Sequence, residues 1–212
     1  MPIFYNIIES FLLVSALSMD AFVSSFAYGT NKIKIPFKSV AVIAIVCSSF
    51  LAVSIFLASF LNSFISEEIT RILAFSILFL LGLAKFFDST IKLYIKRHNQ
   101  LNKELNFSVF NLQFMLNVYA NPEEADINAS KTLSPKEAVY LAIALSVDGL
   151  AVGFGAGLVA VNHLLVILFA FIADTIALTL GCRLGNKVVE KTVLNLSWLS
   201  GIVLIGLAFL KL

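Results

Sequence analysis

The sequence predicts an all-α integral membrane protein whose six transmembrane helices form two inverted three-helix repeats. Three observations support this fold class: an apolar composition, six long apolar segments, and one motif that occurs twice. Of the 212 residues, 59% are hydrophobic and 13% are charged, whereas soluble domains average about 45–50% and about 25%. The net charge of +2 gives no indication of nucleic-acid binding, so the expected partner is the lipid bilayer.

Six segments reach the length of about 20 mostly apolar residues that a helix needs to cross a bilayer. They are residues 3–28, 37–60, 69–93, 135–159, 163–182 and 193–210. Helices are expected because backbone polar groups in lipid must be satisfied within the segment. The chain therefore divides into a first repeat (1–93), a loop (94–134) and a second repeat (135–212). The first segment is expected to be retained, because no Lys or Arg precedes it, whereas a signal peptide begins with a positively charged region.

The positions of the Lys and Arg residues predict the orientation in the membrane. Twelve of the fifteen lie in the loops that follow odd-numbered helices, and loops rich in Lys and Arg stay on the cytoplasmic side. We therefore expect the 94–134 loop in the cytoplasm and both termini outside, in the cell membrane.

The central loop carries features of its own. Residues 107–119 alternate apolar and polar side chains, a period of two that favours a short β-strand. Glu123, Glu124 and Asp126 follow, where a solvated acidic turn is favoured over a cation site made of carboxylate oxygens. The Ser-Pro-Lys-Glu sequence at 134–137 is typical of a helix N-terminus, with a Ser cap and Pro at the first helical position.

One motif occurs twice. Residues 11–29 (FLLVSALSMDAFVSSFAYG) and 139–157 (VYLAIALSVDGLAVGFGAG), 128 positions apart, share seven of nineteen residues, including Ser-x-Asp. The sequences LLGLA at 80–84 and LIGLA at 204–208 extend the match to the third helices. Three helices is an odd number, so the second half enters the membrane from the opposite side. Secondary transporters with this arrangement bind their substrates near the midplane, between the repeats.

Asp20 and Asp148, near the middle of the repeated helices, are candidate ligands of a divalent cation. Inserting one carboxylate into the bilayer centre costs at least about 3 kcal/mol, and intramembrane acids are functional by default. Small residues recur beside each Asp, at 21, 25 and 29 and at 149, 153 and 157. They are expected to bring the two helices together. Two facing carboxylates repel each other unless a cation lies between them, and oxygen ligands suit Mg²⁺, Ca²⁺ or Mn²⁺.

Other polar residues in the apolar segments bear on this site. Ser24 lies one turn after Asp20 and can add a hydroxyl ligand. Asp174 can act as a third ligand or as a proton carrier, and the sequence does not choose between them. Lys85 is expected to pair with Asp88, three residues away on one helix face. A purely structural pairing of Lys85 with the two repeated carboxylates is the alternative.

Four further residues are assigned structural roles. Ser18 and Ser146 point away from their Asp on an ideal helix, so we expect them to bond to backbone unless the helix unwinds. Cys47 and Cys182 lie in apolar runs without a CxxC pattern, and we interpret them as small hydrophobic residues. No cluster of Cys or His in the sequence offers a soft-metal site.

These residues resemble a known family of membrane proteins, the MntP manganese exporters. The resemblance lies in SMDAF at 18–22 and SVDGLAVG at 146–153, and Lys85 matches a basic position of that family's third helix. Within the superfamily, NPEEAD at 121–126 leading into EAVYLAIALSVDG is similar to the YtaF group of sporulation membrane proteins. The stretch IVCSSF at 45–50 departs from the Gly, Gln and Pro-bearing stretch of the exporters' second helix.

The resemblance and the buried carboxylates together predict a secondary transporter that exports a divalent cation, Mn²⁺ being the expected substrate, in exchange for protons. The metal-site residues are Asp20, Asp148, Ser24 and Asp174, and no resident cofactor is expected. No nucleophile–base pair or phosphate-binding loop indicates an enzyme. The alternative is a non-transporting sporulation protein that binds a partner through its cytoplasmic loop.

Overall fold

In the computed structural model, the residues that the structure describes form six α-helices. The structure describes residues 2–87, 118–119, 121–158, 163–187 and 197–210. The helices are α1 (Pro2–Thr30), α2 (Phe37–Asn62), α3 (Glu67–Phe86), α4 (Pro135–Gly157), α5 (His163–Lys187) and α6 (Ser197–Leu210). A short 3₁₀ turn, Pro122–Ala125, lies between α3 and α4.

Five of these helices are long and apolar enough to cross a membrane, namely α1 over Ser10–Thr30 and the whole or nearly the whole of α2 to α5. They confirm five of the predicted spans. The described part of α6 has 14 residues, and residues 188–196 lie outside the described chain, so the sixth span remains a prediction. Large apolar side chains such as Phe56 and Leu164 are exposed on the outside of the bundle, as lipid contact requires.

Three predicted elements differ from the structure. The third helix was expected to reach residue 93, but α3 ends at Phe86. The link after the fifth helix was expected to begin at Arg183, but α5 continues to Lys187. Its last turns are held in place because Gly181 and Gly185 pack against the backbone of α1. In the predicted strand 107–119, Val118 and Tyr119 have helical backbone. The other residues of that strand lie outside the described chain.

The first helix of each half packs on the second helix of the other half. Helix α1 runs parallel to α5, with Gly29 beside Gly185, and α4 runs parallel to α2, with Gly157 beside Ala58. A Cβ atom at position 157 would lie 2.5 Å from the carbonyl oxygen of Ile55. The two backbones therefore touch, as small residues allow in membranes.

The expectation that the small residues of α1 and α4 bring these two helices into close contact with each other is therefore wrong. The ridge on α1 faces α5, and Gly153 and Gly157 of the α4 ridge face α2. Helices α1 and α4 touch over a short stretch, where Gly149 lies next to Leu17. The physical reason is that a small-residue ridge packs best against another small surface. Gly181 and Gly185 provide it on α5, and Ser54 and Ala58 provide it on α2.

The third helices, α3 and α6, cross in antiparallel directions at a pair of glycines. A Cβ at position 82 would lie 2.9 Å from the carbonyl oxygen of Gly201, and one at 201 would lie 2.7 Å from that of Gly82. A Cβ at position 206, which the sequence match pairs with Gly82, would have no atom of the described residues within 4 Å. By packing, Gly82 therefore corresponds to Gly201, and Lys85 corresponds to Leu204.

The segment before α4 lies against the ends of α1 and α2. The Tyr28 hydroxyl donates to the Pro122 carbonyl oxygen at 2.5 Å, and the Ser39 hydroxyl donates to the Leu133 carbonyl oxygen at 2.6 Å. The backbone of Lys34 bonds to the same segment. This end of the bundle is thus the end at which α1 finishes and α4 begins.

The acidic turn within that segment has a structural role in its described part. The Asp126 carboxylate accepts hydrogen bonds from the backbone N–H groups of Ser130, at 3.2 Å, and Lys131, at 3.0 Å. The predicted helix N-terminus is confirmed, because Ser134 and Glu137 form a reciprocal capping box. These bonds fix the direction in which α4 enters the bundle.

Candidate cation site

The two repeated carboxylates converge on one ammonium group. The Lys85 Nζ donates to Oδ2 of Asp20 and to Oδ2 of Asp148. Asp20 comes from α1, Asp148 from α4 and Lys85 from the last turn of α3. The structure thus brings both predicted ligands to one point, although the helices that carry them touch only briefly.

This ion cluster is buried inside the bundle. Lys85 is 5% exposed and Asp20 is 8% exposed, and ionised groups are almost never so buried unless they are paired. The structure therefore adopts the arrangement that the sequence left as an alternative, with Lys85 bonded to the repeated carboxylates. The predicted pairing of Lys85 with Asp88 involves a residue outside the described chain and stays a prediction.

A small cavity adjoins the two carboxylates on the side of the central segment, by which we mean the described part of the central loop (residues 118–119 and 121–134). Its wall includes Asp20, Asp148 and the predicted hydroxyl ligand Ser24. Val118 and Tyr119 from the central segment complete the wall, and Val118 is fully buried. Ser24 therefore lines the same cavity as both carboxylates.

A second small cavity lies on the other side of Asp20. Asp174 from α5 and Cys47 from α2 are in its wall. The Ser18 hydroxyl donates to Oδ1 of Asp174 at 2.9 Å. Asp174 is thus buried near the carboxylate pair, although it shares a cavity wall with only one member of that pair, Asp20.

The two repeated serines occupy corresponding places, but their partners differ. Ser18 bonds to the Asp174 side chain without any unwinding of α1, which differs from the expected backbone bond. Ser146 donates to the Ala142 carbonyl oxygen at 2.6 Å, as predicted, and lies 3.7 Å from Cys47 Sγ. Cys47 in the first half therefore occupies the place that Asp174 occupies in the second half.

The potential metal-ligand atoms at the site are carboxylate oxygens, and the site has a formal excess of negative charge. Two carboxylates face one ammonium group, and Asp174 adds a further acid nearby. In the part of the chain that the structure describes, no three His, Cys, Asp or Glu side chains form a cluster able to hold a metal ion. Any cation bound by Asp20 and Asp148 would therefore need hydroxyl, carbonyl or water oxygens as further ligands.

Comparison with known proteins identifies the family. A family model described as "Putative manganese efflux pump" (Mntp) matches residues 90–212. The "Probable sporulation protein YtaF" of Bacillus subtilis (strain 168) is 30% identical over 212 residues, covering 98% of this chain and 100% of that protein. The chain belongs to the MntP family. The predicted resemblance to its YtaF group is confirmed, and no solved structure matches the chain.

The sequence singled out both carboxylates of this site and gave Lys85 as their alternative partner, while favouring Asp88 as the partner of Lys85. Lys85 was assigned to a partner on its own helix, because the sequence cannot show which helix faces α3. Cys47 was interpreted as a small hydrophobic residue, yet it lies beside the Ser146 hydroxyl and in the wall of the cavity that Asp174 also lines. The signal for Lys85 was present, since a cation in an apolar helix requires a partner.

Proposed function

We propose that this protein is a secondary transporter that exports a divalent metal cation, with Mn²⁺ as its substrate. The observation that carries the proposal is the convergence of Asp20 and Asp148 on one nitrogen atom. Two carboxylates that bind the same ammonium group face each other across a gap suited to one small cation. Oxygen ligands of this kind suit hard divalent ions such as Mn²⁺.

An inverted repeat of six spans is part of the proposal. The opposite directions of α1 and α4 support it, as does the packing of each first helix on the other half's second helix. The crossing of α3 and α6 at Gly82 and Gly201 supports the same pseudo-twofold axis. Substrate sites in such transporters lie near the midplane, where the repeats meet.

The cation is proposed to reach the carboxylates from the cytoplasm. The cavity that contains Ser24 lies between the carboxylates and the central segment, and the distribution of Lys and Arg assigns that segment to the cytoplasmic side. Both termini then lie outside the cell membrane. Export against the membrane potential needs a driving ion, for which we propose protons.

Flux measurements in proteoliposomes test the proposal directly. Wild-type protein is expected to transport Mn²⁺, compared with Zn²⁺, Ca²⁺ and Cd²⁺, and to respond to a pH gradient. Asp20→Asn and Asp148→Asn should each abolish Mn²⁺ flux, while Ser24→Ala and Asp174→Asn should weaken it. Glu124→Gln, at an exposed carboxylate outside the site, is the matched control. Full flux in both Asn variants would remove these residues from the substrate site.

A second candidate function is supported by the relative that is named a sporulation protein. In this case the central segment would bind a protein partner, and Ile127, an apolar side chain that is exposed there, would belong to the surface. Deleting residues 106–130 would remove the buried Val118 and Ala125 and so disturb the fold. Ile127→Glu is the cleaner variant. Loss of sporulation with Mn²⁺ flux intact would favour this function.

A further inference from the structure

The Lys85 ammonium group lies at the point that the proposed function assigns to the transported cation. It binds both carboxylates at once and is buried. A metal ion cannot share that gap, because two cations at contact distance repel strongly in a medium of low dielectric constant. Lys85 and the metal ion must therefore exclude each other from Asp20 and Asp148.

A transporter also has to return to its starting conformation without its substrate. In that step, two facing carboxylates with no cation would carry uncompensated charge through the membrane interior, which is energetically costly. The Lys85–Asp148 pair spans the two halves, since α3 belongs to the first and α4 to the second. The Lys85 ammonium group thus offsets one of the two negative charges across the repeat interface when no metal ion is bound, and one proton, the proposed driving ion, would offset the other.

We propose that Lys85 is a tethered counter-ion that competes with the substrate cation and allows the empty transporter to return. The inference rests on the proposed function and deepens it. Substrate binds when it displaces Lys85 from the carboxylates, and release of substrate lets Lys85 bind them again. The corresponding position of the second half holds Leu204, so one lysine serves both carboxylates.

The variant Lys85→Gln separates the return step from transport of the loaded protein. Net efflux of labelled Mn²⁺ into Mn²⁺-free buffer requires return of the empty protein, whereas exchange of labelled for unlabelled Mn²⁺ does not. We expect net efflux to fall about tenfold or more while exchange stays within about twofold. Equilibrium binding of Mn²⁺ should tighten about tenfold, because a competing charge at contact distance is gone.

Three variants serve as controls. Lys85→Arg keeps the charge and should retain net efflux. Lys85→Met gives a second uncharged variant in case Lys85→Gln does not fold, and Leu204→Met tests for a general effect of repacking at the matching position. In wild-type protein, Mn²⁺ should increase the labelling of Lys85 by a membrane-permeant amine reagent, as measured by mass spectrometry.

The outcomes distinguish the inference from the proposed function. Wild-type net efflux in a folded uncharged variant, equal loss of efflux and exchange, or unchanged labelling of Lys85 with Mn²⁺ each overturns the role of Lys85. Absence of any Mn²⁺ flux in the wild-type protein instead overturns the proposed function itself.

Discussion

The two halves of the bundle share a Ser-x-Asp motif but surround it differently. In the first half, the Ser18 hydroxyl is bonded to the Asp174 carboxylate of α5. In the second half, Ser146 lies beside the Cys47 thiol of α2. An acid in one half thus corresponds to a thiol in the other, at the same place in the packing.

The third helices differ in the same way. Where the first half places Lys85, the second half places Leu204, which is 2% exposed. Asp20 and Asp148 are repeated in both halves, whereas the charged residues near them, Lys85 and Asp174, each occur in one half. The comparison teaches that the repeated motif supplies the two carboxylates, whereas a residue present in one half supplies the ammonium group that binds them.

Removing both repeated carboxylates should have the largest effect on stability, because the buried Lys85 ammonium group would then have lost both of these partners. We expect Asp20→Asn with Asp148→Asn to lower the free energy of unfolding by about 3–5 kcal/mol, as for other buried ion pairs that lose a partner. Adding Lys85→Met should restore most of the loss. Unfolding in detergent measures both variants, and a double variant as stable as wild type would show that the ion cluster does not stabilise the bundle.

Changing the glycines that both halves use for packing should have the next largest effect. Gly29→Leu and Gly157→Leu each force a side chain into the backbone of the neighbouring helix, at an expected cost of about 1–3 kcal/mol or more. Gly206→Leu is the matched control, since a Cβ at that position would have no atom of the described residues within 4 Å. Similar losses of stability in the variants at 29 and 157, with none at 206, would support the symmetry of the two halves. A large difference between the variants at 29 and 157 would contradict it.

The third prediction uses the Asp174–Cys47 difference. Asp174→Asn removes negative charge near Asp20 and should raise the KM for Mn²⁺ about tenfold, which corresponds to about 1.4 kcal/mol. Cys47→Ser keeps the size of the side chain and should leave the KM nearly unchanged. Flux assays over a range of Mn²⁺ concentrations check both. An equal effect of the two variants would mean that the acid has no special role.

The smallest expected effect is at Tyr28, which anchors the central segment and has Ala156 as its counterpart in the repeat. Tyr28→Phe loses the hydrogen bond to the Pro122 carbonyl oxygen, which is typically worth about 1 kcal/mol. Proteolysis of the central segment should become faster, whereas cleavage elsewhere should be unchanged. Identical cleavage rates would show that the other contacts of the segment hold it without this bond.

Much of the fold could be predicted from the sequence because the physical constraints act along the chain. A bilayer requires long apolar helices, so composition and hydrophobic runs predicted the five confirmed spans and the start of α4 at Pro135. A repeated acid inside such a run is costly, so Asp20 and Asp148 could be singled out as a pair. The Ser-x-Asp repeat also supported the family resemblance that the comparisons confirmed.

What only the tertiary structure decided is which surfaces meet. A sequence shows where small-residue ridges lie but not which helices they pack against. In the structure, the ridge on α1 packs against α5 rather than α4. For the same reason, the sequence did not decide which carboxylates pair with Lys85, and it did not show that Cys47 and Asp174 occupy corresponding places. The sequence by itself determined that two buried carboxylates needed a counter-charge. The packing of three helices determined that a lysine provides it, because only in the folded bundle do α1, α3 and α4 reach one point.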